Sequence, residues 1–161
     1  MRLLLKNLLF VLIAPGSLGG WIPWWLVRRW GLTVLPFGPM QWAAVACLAL
    51  GAAILLLCVY EFGARGGATP APIDAPKVLV VTGLYRHVRN PMYVGVTLAL
   101  AGWALLFASD GFALYGACVF AGFNVFVLVY EEPTLEARFG EPYTRYRAAV
   151  RRWLPGRPFA G

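Results

Sequence analysis

The chain has 161 residues, 60% hydrophobic and only 13% charged, with a net charge of +7 and a mean hydropathy of +0.68. An ordinary soluble domain is about a quarter charged, and a water-soluble chain this apolar would need a larger core than its length can enclose. One domain over residues 1–161, built into a membrane, is therefore expected, and a soluble nucleic-acid binder is excluded because most of the chain offers no basic face.

Arg2 and Lys6 followed by Leu8–Ala14 look like the start of a signal peptide. No convincing small-x-small cleavage site follows, and Trp21–Val27 continues the apolar character. A retained membrane helix within Leu3–Val27 is predicted, bent near Pro15 and Gly16; a re-entrant or surface-lying segment is the alternative. Trp21, Trp24, Trp25 and Trp30 beside Arg28 and Arg29 fit an interfacial belt.

A turn region over Gly31–Pro39 leads to Gln41–Tyr60. No charge occurs between Trp42 and Tyr60, and nineteen residues at about 1.5 Å each nearly cross a hydrocarbon core of roughly 30 Å. Glu61–Val80 is rich in Gly and Pro and reads as a loop. Pro91 suits a first helical turn, so Met92–Ser109 is a third span. Asp110–Gly111 reads as a tight turn, and Phe112–Tyr130 as a fourth span antiparallel to the third. In the tail, Pro142 opens a helix with Tyr143, Tyr146, Val150 and Trp153 on one side and arginines beside them. That is an interfacial amphipathic helix, stopped at Pro155. The predicted fold is all-α, with about four transmembrane helices and this C-terminal helix.

Four spans put twelve Lys and Arg residues on one side and only Arg28 and Arg29 on the other. The crowded side is therefore expected to be cytoplasmic, in a multi-pass protein of the cell inner membrane. Met92 and Tyr130, at opposite ends of a hairpin, return to that side. The polar run Val81–Gly95 and the pair Glu131–Glu132 are thus expected to share one pocket.

The three cysteines, Cys47, Cys58 and Cys118, lie in apolar runs without metal or disulfide spacing, so no metal is expected. His87, the sole histidine, reads as an acid–base group or as a residue that orients its loop. Arg89 beside the rigid Asn90–Pro91 step suits a carboxylate, which a guanidinium fork matches bidentately. Asn90 also reads as a cap for the third span. Glu131 and Glu132 at a helix C-terminus would oppose the helix dipole. They read as a ribose-diol or sulfonium contact, or as a solubilising end paired with arginines. Tyr143 and Tyr146 read as pocket walls or interfacial anchors. The small residues Gly95, Ala99, Ala101 and Gly102 suit close helix packing or room beside a ligand.

The sequence G-L-Y-R-H-V-R-N-P-M-Y-V-G (Gly83–Gly95), followed after one hairpin by E-E-P-T-L-E-A-R-F-G-E-P-Y-T-R-Y (Glu131–Tyr146), resembles the membrane methyltransferase superfamily. That superfamily includes isoprenylcysteine carboxyl methyltransferases and phosphatidylethanolamine N-methyltransferases. The resemblance covers Val80–Pro155; the first two spans carry no family motif. It implies S-adenosylmethionine as cofactor. The family's R-H-P-x-Y falls on Arg89, Asn90, Pro91, Met92 and Tyr93, with Asn90 in the place of histidine. That departure weakens any mechanism with a histidine base there and discourages isoprenylcysteine chemistry.

The resemblance also implies cofactor contacts from Gly83, Tyr85, Asn90, Pro91, Tyr93, Gly95, Glu131 and Glu132. His87, Arg89, Asn90 and Glu132 are the candidates for chemistry. The expected activity is methyl transfer to a membrane lipid, foremost a phospholipid amine. An isoprenoid, thiol or prenylated carboxylate acceptor, or a non-enzymatic membrane role, are the alternatives. The expected partners are the lipid substrate and the bilayer, with no nucleic acid.

Overall fold

The computed structural model describes residues 9–62 and 78–160. The start of the expected first span, much of the Gly- and Pro-rich loop, and Arg2, Lys6, Arg65 and Lys77 lie outside them. The described chain is all-α. Three helices are long and apolar enough to cross a membrane: α1 (Leu9–Trp30), α2 (Pro39–Glu61) and α4 (Asp110–Phe139). Between the last two lies the shorter apolar α3 (Pro91–Phe107), about 26 Å long and at the low end for a span. A fifth helix, α5 (Glu141–Ala149), lies in the tail.

Contact between small residues sets the centre of the bundle. A Cβ on Gly51 would come within 2.6 Å of the Gly95 carbonyl oxygen, and one on Gly102 within 3.0 Å of the Ala44 carbonyl oxygen. As α3 numbers rise, α2 numbers fall, so the two helices run antiparallel with their backbones in contact. Gly95 therefore belongs to this helix seam, the close packing expected of the small residues in α3. Helix α3 is the central element: Pro91, Met92, Gly95, Val96, Ala99, Leu100 and Gly102 are all buried.

Helix α1 runs alongside α3, and two prolines shape it. Pro15 lacks the N–H that would bond the Val11 carbonyl, and Gly16 leaves that oxygen room, since a Cβ there would stand 2.8 Å from it. The expected bend is at this point, where Ala14 interrupts the helix. A π-turn follows at Ser17–Trp21, just before Pro23. Pro23 likewise has no N–H for the Gly19 carbonyl. Trp103 Nε1 of α3 donates to that oxygen instead, at 2.9 Å, and the Tyr115 hydroxyl of α4 donates to the Leu18 carbonyl at 3.1 Å. These two carbonyls of the irregular backbone are thus satisfied by protein, as a bilayer requires.

Three boundaries differ from expectation. The turn after α3 is Ala108–Ser109, not Asp110–Gly111. Ala108 takes the left-handed conformation (φ 46°), Ser109 Oγ caps by accepting from the Phe112 N–H at 3.4 Å, and Asp110 sits favourably at the positive end of α4. Helix α4 does not stop at Tyr130. It passes through a π-turn at Val127–Glu131 and continues to Phe139. The acid pair therefore lies inside a helix, and the expected conflict with a C-terminal dipole does not arise. Both π-turns end two residues before a proline, Pro23 and Pro133. A proline ring clashes with the preceding turn, and one extra residue in that turn relieves the crowding.

The tail helix is shorter than expected. Val150 leaves it in an extended conformation, well before Pro155. The reason is an alternative set of partners. The tail runs antiparallel to the loop before α3, with backbone bonds from Arg89 N–H to the Arg151 carbonyl, Gly156 N–H to the His87 carbonyl and Phe159 N–H to the Arg86 carbonyl, each 2.9 Å. The apolar side of α5, Tyr143 and Tyr146 with Val150, packs on Leu79, Val81, Leu135, Phe139 and Phe159. We call Val150–Phe159 the strap.

Candidate functional site

The end of α2, the start of α3, the late turns of α4 and the strap meet at one end of the bundle. Two chain-distant contacts join the hairpin there. The Tyr93 hydroxyl donates to Glu131 Oε2 at 2.7 Å, and Arg89 Nη1 stands 3.0 Å from Glu132 Oε1. The two adjacent acids serve different partners: Glu131 bonds to Tyr93 of α3, and Glu132 to Arg89 and Arg152 of the loop and strap.

Glu132 is buried, 7% exposed, and both of its oxygens are occupied. Arg152 Nε donates to Oε1 at 2.8 Å and Arg152 Nη2 to Oε2 at 3.0 Å. The hydrogen bond to Glu132 is the chief reason that the Arg152 guanidinium holds its proton even more tightly than usual. Arg89, with 10% of its side chain exposed, is only partly satisfied. Neither Nε nor Nη1 finds a well-directed hydrogen-bond acceptor among the described residues. A buried guanidinium short of acceptors is costly and usually marks a ligand or a charge not yet in place.

Asn90 is buried and precedes Pro91 at the start of α3, but its side chain does not cap the helix. Its amide donates instead to the Arg152 carbonyl at 3.4 Å. Tyr85 is buried against Phe62, ring centroids 5.4 Å apart, in a cluster with Val11, Cys58 and Met92. Its carbonyl accepts from the Tyr146 hydroxyl at 2.6 Å. Burial raises the phenol pKa values of Tyr85, Tyr143 and Tyr146, so all three stay neutral donors. Gly83 has φ +55°, and a Cβ there would lie 2.5 Å from Glu61 Oε1. Glu61 in turn accepts from the Thr82 hydroxyl at 2.7 Å.

Of the expected site residues, Arg89, Asn90, Tyr93, Glu131 and Glu132 come together, with Pro91 fixing the helix start between them. Gly83 and Tyr85 lie in the adjoining loop and shape it through backbone and packing. His87 is exposed, and its Nδ1 lies 3.2 Å from the Gly156 carbonyl of the strap. Sequence reasoning gives no site role to Arg152, Trp153 or Glu61. Trp153 Nε1 donates to Asn124 Oδ1 at 3.0 Å, and its ring meets Phe120 and Tyr93 at 5.1 and 6.3 Å. Asn124, a polar residue in an otherwise apolar span, is the one signal in the sequence for that docking.

An apolar cavity of about 240 Å³ opens beside this cluster, between α1, α3 and α4. Phe10, Ala14, Leu18, Met92, Tyr93, Val96, Phe123 and Phe126 line it. Tyr93 belongs to both places: its ring walls the cavity and its hydroxyl holds Glu131.

The family model described as phospholipid methyltransferase matches residues 39–142, from the first residue of α2 into the first turn of α5. The match takes in α2, which carries no motif recognisable by eye, and ends just before Tyr143. A Haemophilus influenzae protein described as an uncharacterized protein is 39% identical over 64 residues, which are 39% of this chain and 100% of that protein. No solved structure matches. The chain thus belongs to the phospholipid methyltransferase family, and is a multi-pass membrane enzyme that transfers methyl groups from S-adenosylmethionine.

Proposed function

We propose that this enzyme methylates the amine of a phospholipid head group, of the phosphatidylethanolamine type, at the cytoplasmic face of the inner membrane. The observation that carries this reading is the double role of Tyr93, which joins an apolar chamber to a carboxylate. An acceptor with a greasy chain and a protonated amine needs both within one molecule's length. The cavity takes part of the hydrocarbon, and Glu131 meets the amine and accepts the proton it must lose before transfer.

The residues present fit the cofactor. S-adenosylmethionine, when bound, supplies a methyl group already activated by its sulfonium. Arg89, buried and with Nε lacking an acceptor among the described residues, would take the donor's carboxylate with the part of its guanidinium that Glu132 leaves uncovered. Asn90 and Tyr93 would contact the donor, and Glu131 would set a negative charge near it. Tyr85 and Gly83 shape the approach. Glu132, with both oxygens held by arginines, acts by fixing Arg89 rather than as a base. Holding two reactants in line and away from water supplies much of the acceleration in such transfers. The charge distribution supports the orientation: Arg28 and Arg29 lie near the far end of the bundle, and the tail arginines lie at the site end.

The test uses the full chain in lipid nanodiscs with methyl-labelled S-adenosylmethionine. Nanodiscs contain phosphatidylethanolamine, phosphatidylglycerol alone, or the latter with a prenylated cysteine. Label in N-methylated phosphatidylethanolamine is the expected result. Label only in the prenylated acceptor, or in no lipid fraction, would overturn the assignment.

A further inference from the structure

The acid pair is unequal, and a tail residue makes it so. The Arg152 fork covers both oxygens of Glu132 at 2.8 and 3.0 Å, a geometry that fixes the plane of the carboxylate. Glu131 is held through one oxygen, by the Tyr93 hydroxyl. Arg152 is itself set in place by its neighbours in the strap. The Arg151 carbonyl accepts from the Arg89 N–H, the Arg152 carbonyl accepts from Asn90, and Trp153 donates to Asn124 in α4. Three consecutive tail residues therefore touch the loop, the start of α3 and the shaft of α4. An arginine that served only to orient the protein in the membrane would extend into water; 26% of this side chain is exposed. All three residues lie beyond the segment that matches the family model.

We propose that Arg152 is a positioning residue for methyl transfer. It locks Glu132 against Arg89, which keeps the Arg89 guanidinium fixed for the carboxylate of the methyl donor. It also leaves Glu131 as the acid of the pair that is available to the acceptor. The inference rests on the methyltransferase reading above and goes beyond it, because it divides the work of the two acids and assigns the tail a part in the site.

The experiment compares wild type, R152K, R152Q, E132Q and the double variant R152Q/E132Q, each as full chain in nanodiscs. Binding of labelled S-adenosylmethionine is read by equilibrium dialysis, turnover by label transfer, and folding by thermal melts. R152Q weakens donor binding about tenfold, within the range for side chains of one hydrogen-bond network, with a smaller fall in kcat. R152K, which keeps the charge but not the fork, recovers part of the loss. The double variant is no worse than the poorer single variant, because Arg152 acts through Glu132. Unchanged donor affinity in R152Q, or losses that multiply in the double variant, would overturn the proposal. Should R152Q fail to fold, R152K decides: affinity and KM equal to wild type would overturn it. Wild-type protein that bound no S-adenosylmethionine would instead defeat the methyltransferase reading, a separate and visible result.

Discussion

Tyr93 and Glu131 are 38 residues apart in sequence, yet the tyrosine hydroxyl donates to the carboxylate at 2.7 Å. This bond closes the α3–α4 hairpin at the end where the chemistry is proposed. A hydrogen bond to a charged group contributes about 1.5–3 kcal/mol. Tyr93→Phe keeps the ring that walls the cavity and packs on Phe123 at 4.6 Å, but releases Glu131. Turnover is expected to fall about 10- to 100-fold, while the melting temperature changes by only a few degrees. Equal turnover in Y93F and wild type would remove Glu131 from the reaction.

Glu132 answers differently to substitution. Its carboxylate is the counter-charge for Arg89 and the anchor for Arg152. Removing one member of a buried ion pair strands the other and costs about 3–5 kcal/mol. E132A should therefore lower thermal stability strongly, along with donor binding. E131Q should lower activity with little loss of stability. Thermal melts and label transfer on the two variants check this; a stable E132A beside an unfolded E131Q would reverse the assignment.

The spans are legible in the sequence because long charge-free apolar runs fit a bilayer and little else. The two halves of the site are legible because their polar residues stand out against lipid-facing sequence. The juncture at Glu131–Glu132 is not. A proline after an apolar run reads as a terminator, whereas the π-turn before Pro133 carries the helix through it. The strap is equally hidden. Extended backbone paired with a loop leaves no periodic signature, and Arg152 looks like one more basic residue among Arg145, Arg147 and Arg151. Only the fold separates the arginine that holds Glu132 from Arg145 and Arg151, which are exposed, and from Arg147, which pairs with Glu136. The left-handed Gly83 against Glu61 is another such case, since the two meet across residues that read simply as loop.

The α2–α3 seam gives a prediction about stability alone. A Cβ on Gly51 meets the Gly95 carbonyl at 2.6 Å and the Ala99 nitrogen at 3.0 Å. Both are backbone atoms, so a rotamer change cannot relieve the clash. Overpacking of this kind costs about 1–3 kcal/mol, and Gly51→Val should lower the melting temperature in nanodiscs accordingly. Gly95→Ala should do the same through Gly51 and Ile54, without a selective rise in KM for S-adenosylmethionine. A rise in KM at unchanged stability would mean that Gly95 also borders the cofactor.

The docked tail should also show in alkaline stability. Burial is the leading cause that raises the phenol pKa of Tyr146, Tyr143 and Tyr85. In the unfolded chain these phenols ionise near pH 10, while in the folded protein they keep their protons. Above that pH the native state binds more protons than the unfolded state, so stability falls as pH rises. The contribution is fully present below about pH 10 and is lost toward the raised native values. Tyr146→Phe removes one of these groups together with its bond to the Tyr85 carbonyl. At neutral pH the variant should be less stable by about 1 kcal/mol, and its alkaline decline should be shallower than that of wild type. The two melting curves should therefore converge between pH 9 and 11, approximately the range of tyrosine ionisation. Parallel curves across that range would mean that Tyr146 ionises as freely in the folded protein as in the unfolded chain, and that the tail is not packed as described.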